Sequence, residues 1–167
     1  MRAFLITGNP GSGKSTLAAE LSRRGQVAID ADDLASWEDD SGVAVESPGP
    51  VGEAWQLAHR WVWVRARLEA AFAAHEGSAE AVFVCGIAQN QDEMLDLFER
   101  LFLLVIDSAA QEERLARATS AQRTEGVKQQ IRDGRPGFQA RMLALGAVPL
   151  DGTASPSVLA DAVLASV

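Results

Sequence analysis

Eight residues near the start of the chain, Gly8-Asn9-Pro10-Gly11-Ser12-Gly13-Lys14-Ser15, have the types and spacing to grip a polyphosphate. They fit the pattern G-x-x-x-x-G-K-[ST]. Glycines let the backbone curl around an anion with no side chain in the way. The freed N–H groups, together with the N-terminus of the next helix, point at phosphate. In this pattern the Lys14 ammonium reaches the β- and γ-phosphates, and the Ser15 hydroxyl holds Mg2+. Asn9, Pro10 and Ser12 complete the loop, and Thr16 extends the contact into the helix. The competing reading, a chance glycine-rich turn, conflicts with the flanking sequence. Ala3-Phe4-Leu5-Ile6-Thr7 is a continuous apolar run, as expected of a strand buried on both faces. Residues 16–24 read as a helix with Leu17 and Leu21 on one face.

A second group with chemistry in it is Asp30-Ala31-Asp32, directly after the short strand Gln26-Val27-Ala28-Ile29. Two carboxylates beside a metal at strand ends suit proton acceptance from a hydroxyl. The alternative is helix capping by Asp32 or Asp33. Glu38, Asp39 and Asp40 read as a solvated acidic loop. Cys85, the only cysteine, ends an apolar strand with no histidine near it in sequence, so it reads as a buried structural thiol. His59 and His75 are sixteen residues apart and make no metal-ligand pair.

The elements that must position these groups alternate along the chain. Residues 39 to 52, rich in Gly, Pro and Ser, read as a loop. Glu53 to Glu76 is expected to be one long helix, with Leu57, Trp61, Val64, Leu68 and Ala71 as its buried stripe. Gln56, Arg60, Trp63 and Arg67 fall on another stripe, so Trp61 is assigned to the core. Trp63 either walls an acceptor pocket or covers a neighbouring loop. Trp37 and Trp55 flank the acceptor side, with a core or a site role open to both. A third strand covers Ala81 to Cys85 and is closed by Gly86. Asn90 is expected to cap a short helix running to Arg100, which leaves Gln89 as the better candidate for ligand contact. Leu101 to Ile106 is the fourth strand, and Ser108-Ala109-Ala110-Gln111 matches the start of another helix. Residues 119 to 127 read as polar and mobile, and Lys128 to Leu145 as a helix in two pieces, broken at Gly134 and restarted at Pro136. Ala147 to Leu150 is a fifth strand whose Pro149 marks a sheet edge. Ser155-Pro156 starts the last helix. Five strands alternating with helices predict an α/β fold, a parallel sheet with helices on both faces and ligand at the carboxyl ends of the strands.

Composition narrows the function classes. At 167 residues the chain suits one domain, and 47% hydrophobic content suits a globular one. A formal net charge of -8 disfavours non-specific binding to nucleic acid or to an anionic membrane. The apolar run Leu101 to Ile106 is too short to span a bilayer. The first strand begins almost at Met1, so no secretory signal is expected, and a single cysteine excludes an intrachain disulfide. A cytoplasmic location is expected, as a monomer or homodimer.

With these residues in hand, the chain resembles the small P-loop kinases of the adenylate-kinase-like group, which includes shikimate kinase, gluconate kinase and chloramphenicol phosphotransferase. The resemblance rests on four places: the loop from Gly8 to Ser15, Asp30-Ala31-Asp32 after the second strand, Cys85-Gly86 after the third, and Arg114, Arg117 and Arg123 after the fourth. It implies a three-layer P-loop NTPase fold with five parallel strands in order 2-3-1-4-5, which would put Pro149 on an edge. It also implies an acceptor-side region over about 31–76 and a lid over about 117–130. ATP and Mg2+ are the implied cofactors. Lys14, Asp30, Asp32, Arg117 and Arg123 are the implied catalytic group, Arg117 also touching the nucleotide, with Ser15 and Asp30 on the metal. The third strand does not end in Asp, so the usual second metal carboxylate is absent from that position, and Asp30 takes its place in shikimate-kinase-like members. Asp151-Gly152-Thr153 corresponds to the loop that lines adenine in such kinases.

The expected activity is ATP-dependent phosphorylation of a hydroxyl on a small molecule. Alternatives are a nucleoside-monophosphate kinase or a nucleotide-binding module without kinase activity. A GTPase switch is disfavoured because no N-K-x-D signature occurs. Between Arg24 and Arg60 the chain has no Lys or Arg but carries Asp30, Asp32, Asp33, Glu38, Asp39, Asp40, Glu46 and Glu53. An acidic acceptor side of this kind repels a phosphate and suits a neutral or cationic alcohol.

Overall fold

Phe4, Leu5 and Ile6 have no exposed surface, because the strand that carries them, β1 (Arg2–Thr7), runs through the middle of the sheet. The computed structural model of the protein describes residues 1–49, 51–117 and 124–167. Side chains on β1 alternate between two cores, as strand geometry requires. Phe4 and Ile6 pack with Leu17 and Leu21 of α1 (Lys14–Arg23) and with Leu159 and Val163 of α6 (Pro156–Leu164). Ala3 and Leu5 face the other way, toward Leu68 of α3 (Arg65–His75) and Met142 of α5 (Glu125–Ala144).

The remaining strands of this sheet are β2 (Val27–Asp30), β6 (Ala81–Cys85), β7 (Arg100–Val105) and β8 (Val148–Asp151), in the order β2-β6-β1-β7-β8 and all parallel. This is the expected 2-3-1-4-5 order, since three further strands intervene between the second and third in sequence. Pro149 sits on the edge strand, where its missing N–H breaks no ladder. The register Asp30↔Cys85 sets the ends of β2 and β6 level, so the turns leaving these two strands open on the same side as the loop after β1.

The main departure from the sequence reading lies between Glu53 and Glu76. The expected single helix is α2 (Glu53–Ala58), a strand β5 (Arg60–Trp63) and α3. β5 pairs antiparallel with β3 (Ala35–Glu38), which pairs with the two-residue β4 (Ala44–Val45) inside the expected loop. Arg60-Trp61-Val62-Trp63 is a run of the residue types that fit a pleated surface, and cross-strand pairing with Ser36 and Trp37 outweighs the helical spacing. The predicted buried stripe is corrected accordingly: Leu57 is half exposed, and Trp63, not Trp61, is in the core at 1% exposure. Asn90 does not cap. Its side chain accepts from the Trp63 N–H at 2.8 Å and donates to the Trp63 carbonyl at 3.0 Å, closing the free edge of β5. The helix expected from Asn90 to Arg100 is a 3-10 segment, Gln91–Leu97.

α4 (Ser108–Arg117) comes after β7, and α5 runs unbroken through Gly134 and Pro136 rather than in two pieces. Of the segment expected to be a mobile lid, residues 118–123 lie outside the described residues. Thr124 caps α5 through Val127, and residues 125–130 belong to the helix. Among the described residues no helix is long and apolar enough to cross a membrane.

Candidate active site

The loop after β1 curls because Gly11 and Gly13 adopt positive φ, at 85° and 104°. The Ser12 N–H bonds the Asn9 carbonyl at 3.0 Å, and α1 begins directly at Lys14. Lys14 Nζ donates to the carbonyls of Gly8 at 2.7 Å and Asn9 at 3.2 Å, which lays the side chain back over the loop. Gly8, Asn9 and Ser12 form the buried underside of the turn. Pro10, Gly11, Gly13, Lys14, Ser15 and Thr16 line an open cleft of about 570 Å3.

Asp30, Asp32, Cys85 and Gly86 form another wall of the same cleft. The side chain of Asp30 accepts from the Asp32 N–H at 3.1 Å, so it is Asp30 that caps the short 3-10 turn Ala31–Leu34. This bond turns the chain so that both aspartates reach the cleft. Burial raises the Asp32 carboxyl above the ordinary aspartate range, and the Asp30 charge pushes the same way. The Lys14 ammonium and the Trp61 indole pull it back, and Asp33 adds an upward push. Cys85 is 2% exposed, and burial pushes its thiol up to about 12, with Asp30 adding to the shift and Lys14 opposing it. That thiol is not a nucleophile near neutral pH.

Two residues that sequence reasoning undervalued matter here. Arg114 joins the phosphate loop to the loop after β8, with Nη1 donating to the Gly11 carbonyl at 2.9 Å and Nη2 to the Gly152 carbonyl at 2.8 Å. Its place one turn before the end of α4 was visible, but nothing local indicated that α4 packs beside the phosphate loop. Trp61 is the second. Its ring lines a neighbouring cavity of about 390 Å3 with Ile87, Ala88, Gln89, Phe138 and Arg141, and its indole also lowers the Asp32 carboxyl. Ile87 lines both cavities, so they adjoin.

Solved structures that share this architecture include several kinases. A shikimate kinase from Acinetobacter baumannii, in complex with shikimate, superposes with a TM-score of 0.62 at 17% identity, covering 98% of this chain and 91% of that one. A sugar kinase from Janibacter gives 0.58 at 17% identity, covering 99% and 93%. A gluconokinase from Sinorhizobium meliloti gives 0.54 at 17%, covering 98% and 90%. The fold is that of the small P-loop kinases. No family model and no curated protein matches the sequence.

Within this P-loop kinase fold the other expected site residues take varied places. Arg117 points to the surface, 75% exposed and paired with Glu113 at 2.6 Å, so it is not brought into the cleft. Arg123 lies outside the described residues. The turn at Asp151 is held by Thr153, and Gly152, Ala154, Pro156 and Leu159 form the end of the cleft beyond Arg114. Gln89 lines the second cavity, whereas Trp63 packs beneath Gly86 and reaches neither. Trp37 joins an aromatic cluster with Trp61 and Trp55, centroids 4.9 and 5.0 Å away. Among the described residues no group of three or more His, Cys, Asp or Glu side chains is placed to hold a metal. Ser15 and Asp30, a hydroxyl and a carboxylate, do line the same cleft. Such a pair fits Mg2+, which takes one or two protein oxygens and completes its shell from phosphate and water.

Proposed function

We propose that this protein is an ATP- and Mg2+-dependent phosphotransferase acting on a hydroxyl group of a small molecule. The observation that carries the reading is the placement of Lys14 and Ser15 with Asp30 and Asp32 in one cleft. The loop N–H groups and the start of α1 bind the triphosphate, and the pocket end at Gly152, Ala154 and Pro156 takes the base. Lys14 leaves the Gly8 and Asn9 carbonyls for phosphate oxygens and neutralises charge that grows during transfer. Ser15 and Asp30 would hold Mg2+ together with the nucleotide, and the ion would supply neutralisation of phosphate charge during transfer.

The acceptor enters from the cavity beside Trp61. Its hydroxyl oxygen bonds to the γ-phosphorus, the bond from that phosphorus to the bridging oxygen breaks, and the electron pair leaves with ADP. The hydroxyl proton passes to Asp32. Burial and the Asp30 charge, which raise the Asp32 carboxyl, make it a better proton acceptor than an ordinary aspartate. Arg117 would have to leave Glu113 to meet the migrating charge, so Arg114, already in the cleft, is the better placed cation. The acidic chain with its one buried cysteine suits a cytoplasmic location.

The test is ADP release from ATP across a library of small alcohols, with Lys14→Ala beside the parent. The parent should consume ATP only with certain alcohols. Lys14→Ala, folded by circular dichroism, should lose turnover by orders of magnitude. Tight nucleotide binding with no turnover on any alcohol would instead indicate a binding module, and near-normal turnover in Lys14→Ala would refute the phosphate-loop assignment.

A further inference from the structure

The second cavity adjoins the phosphate cleft at Ile87 and is lined mostly by apolar surface. Trp61, Ile87, Ala88 and Phe138 offer ring and aliphatic surface. The polar side chains are Gln89 and Arg141, and Arg141 already sits 3.4 Å from Asp92 with its guanidinium over the Phe138 ring. Two more arginines of this region are engaged as well: Arg60 lies 3.8 Å from Glu38, and Arg67 donates to the Ala35 carbonyl at 2.6 Å. The loop Gly86–Asn90 carries no cation. The apolar walls offer a polyol or hydroxy acid few hydrogen-bond partners, and each hydroxyl turned against them gives up water without replacement. A flat apolar ring would meet two aromatic walls at no such cost.

Resting on the phosphotransferase reading, we propose that the acceptor is an uncharged alcohol carrying a flat apolar ring, with the ring against Trp61 and Phe138 and the hydroxyl toward Asp32. The alcohol oxygen gains the γ-phosphoryl group, ADP departs with the bridging oxygen and its electron pair, and Asp32 takes the proton. Trp61 and Phe138, the latter brought in by α5, are the aromatic walls of the cavity and act as specificity residues.

The experiment compares benzyl alcohol, 2-phenylethanol and 2-naphthylmethanol with gluconate, shikimate and myo-inositol. ADP release and 31P NMR of the product give turnover, and saturation-transfer NMR gives binding without turnover. The expected result is phosphorylation of ring alcohols. Phe138→Ala should raise their KM about ten-fold, the scale of one aromatic contact. Trp61→Phe, which keeps an aromatic wall, should raise KM less than Trp61→Ala, which removes it. Preferred phosphorylation of gluconate, shikimate or inositol, with KM indifferent to Phe138→Ala, would overturn the ring-alcohol assignment and leave the phosphotransferase reading standing. Absence of both ATP consumption and saturation transfer with the ring alcohols would overturn the ring-alcohol assignment, whereas the phosphotransferase reading falls only when no alcohol of the wider library consumes ATP.

Discussion

Gly86 ends β6 at the wall of the phosphate cleft, and a methyl group there has nowhere to go. A Cβ built on it would lie 2.3 Å from the Ala31 Cβ and 3.3 Å from Trp63 Cζ2. Neither neighbour yields easily: Ala31 is fully buried with its Cβ tied to the backbone, and Trp63 is 1% exposed in the core. The Gly86 N–H is bonded to the Ile6 carbonyl at 3.1 Å, so β6 cannot drift away without losing that bond. Gly86→Ala must therefore displace the turn that starts at Ala31, the turn holding Asp30 and Asp32. Overpacking of this kind costs about 1–3 kcal/mol. In a domain of this size that lowers Tm by about 2–12 °C. A displacement approaching 1 Å at Asp32 would lower turnover by about 100-fold. Thermal denaturation measures the first effect, and acceptor-dependent ADP release the second. Because the collision is between two methyl groups, Ala31→Gly in the Gly86→Ala background should recover most of both losses. A Gly86→Ala protein with parental Tm and turnover, or a double variant no better than the single, would refute the steric argument.

Outcomes are expected for three further variants. Lys14→Ala should keep its circular dichroism spectrum and lose ATP turnover by orders of magnitude. Asp32→Asn should lower kcat by about 10²–10⁴-fold, the usual contribution of a positioned base, with a smaller change in ATP affinity. The same variant should be more stable than the parent at neutral pH in metal-free, nucleotide-free protein. The folded-state pKa of Asp32 is raised, so stability falls as pH rises from the unfolded value through the folded one, and the ionised carboxylate is a net cost above both. An unchanged denaturation midpoint at pH 7 would contradict this. Gly134→Ala, in the interior of α5 with nothing within 4 Å of the new methyl, should stabilise by about 0.5–1 kcal/mol, read from urea denaturation.

The local sequence was sufficient wherever a feature depends on residues close together in the chain. The phosphate loop is legible because its conformation is set by its own glycines and by the strand and helix on either side. The five strands of the main sheet are legible because each is an apolar run bounded by turn residues, and the resemblance to known kinases supplied their order. Asp30 and Asp32 stand out as carboxylates at the end of a strand, although which of them caps the turn was settled by the backbone bond from Asp32 to Asp30.

Tertiary structure decided what depends on distant segments meeting. Arg60 to Trp63 has helical spacing with its neighbours, yet it is a strand, because β3 and the Asn90 side chain satisfy its two edges. That exchange put Trp63 in the core and Trp61 at the site, the reverse of the helical reading. Arg114 became a brace only because α4, the phosphate loop and the turn at Gly152 converge. The cavity that points to the acceptor class joins β5, the loop after β6 and α5, three segments far apart in the chain. Periodicity reports what one segment would bury, and it carries no information on which distant residue will be there to meet it.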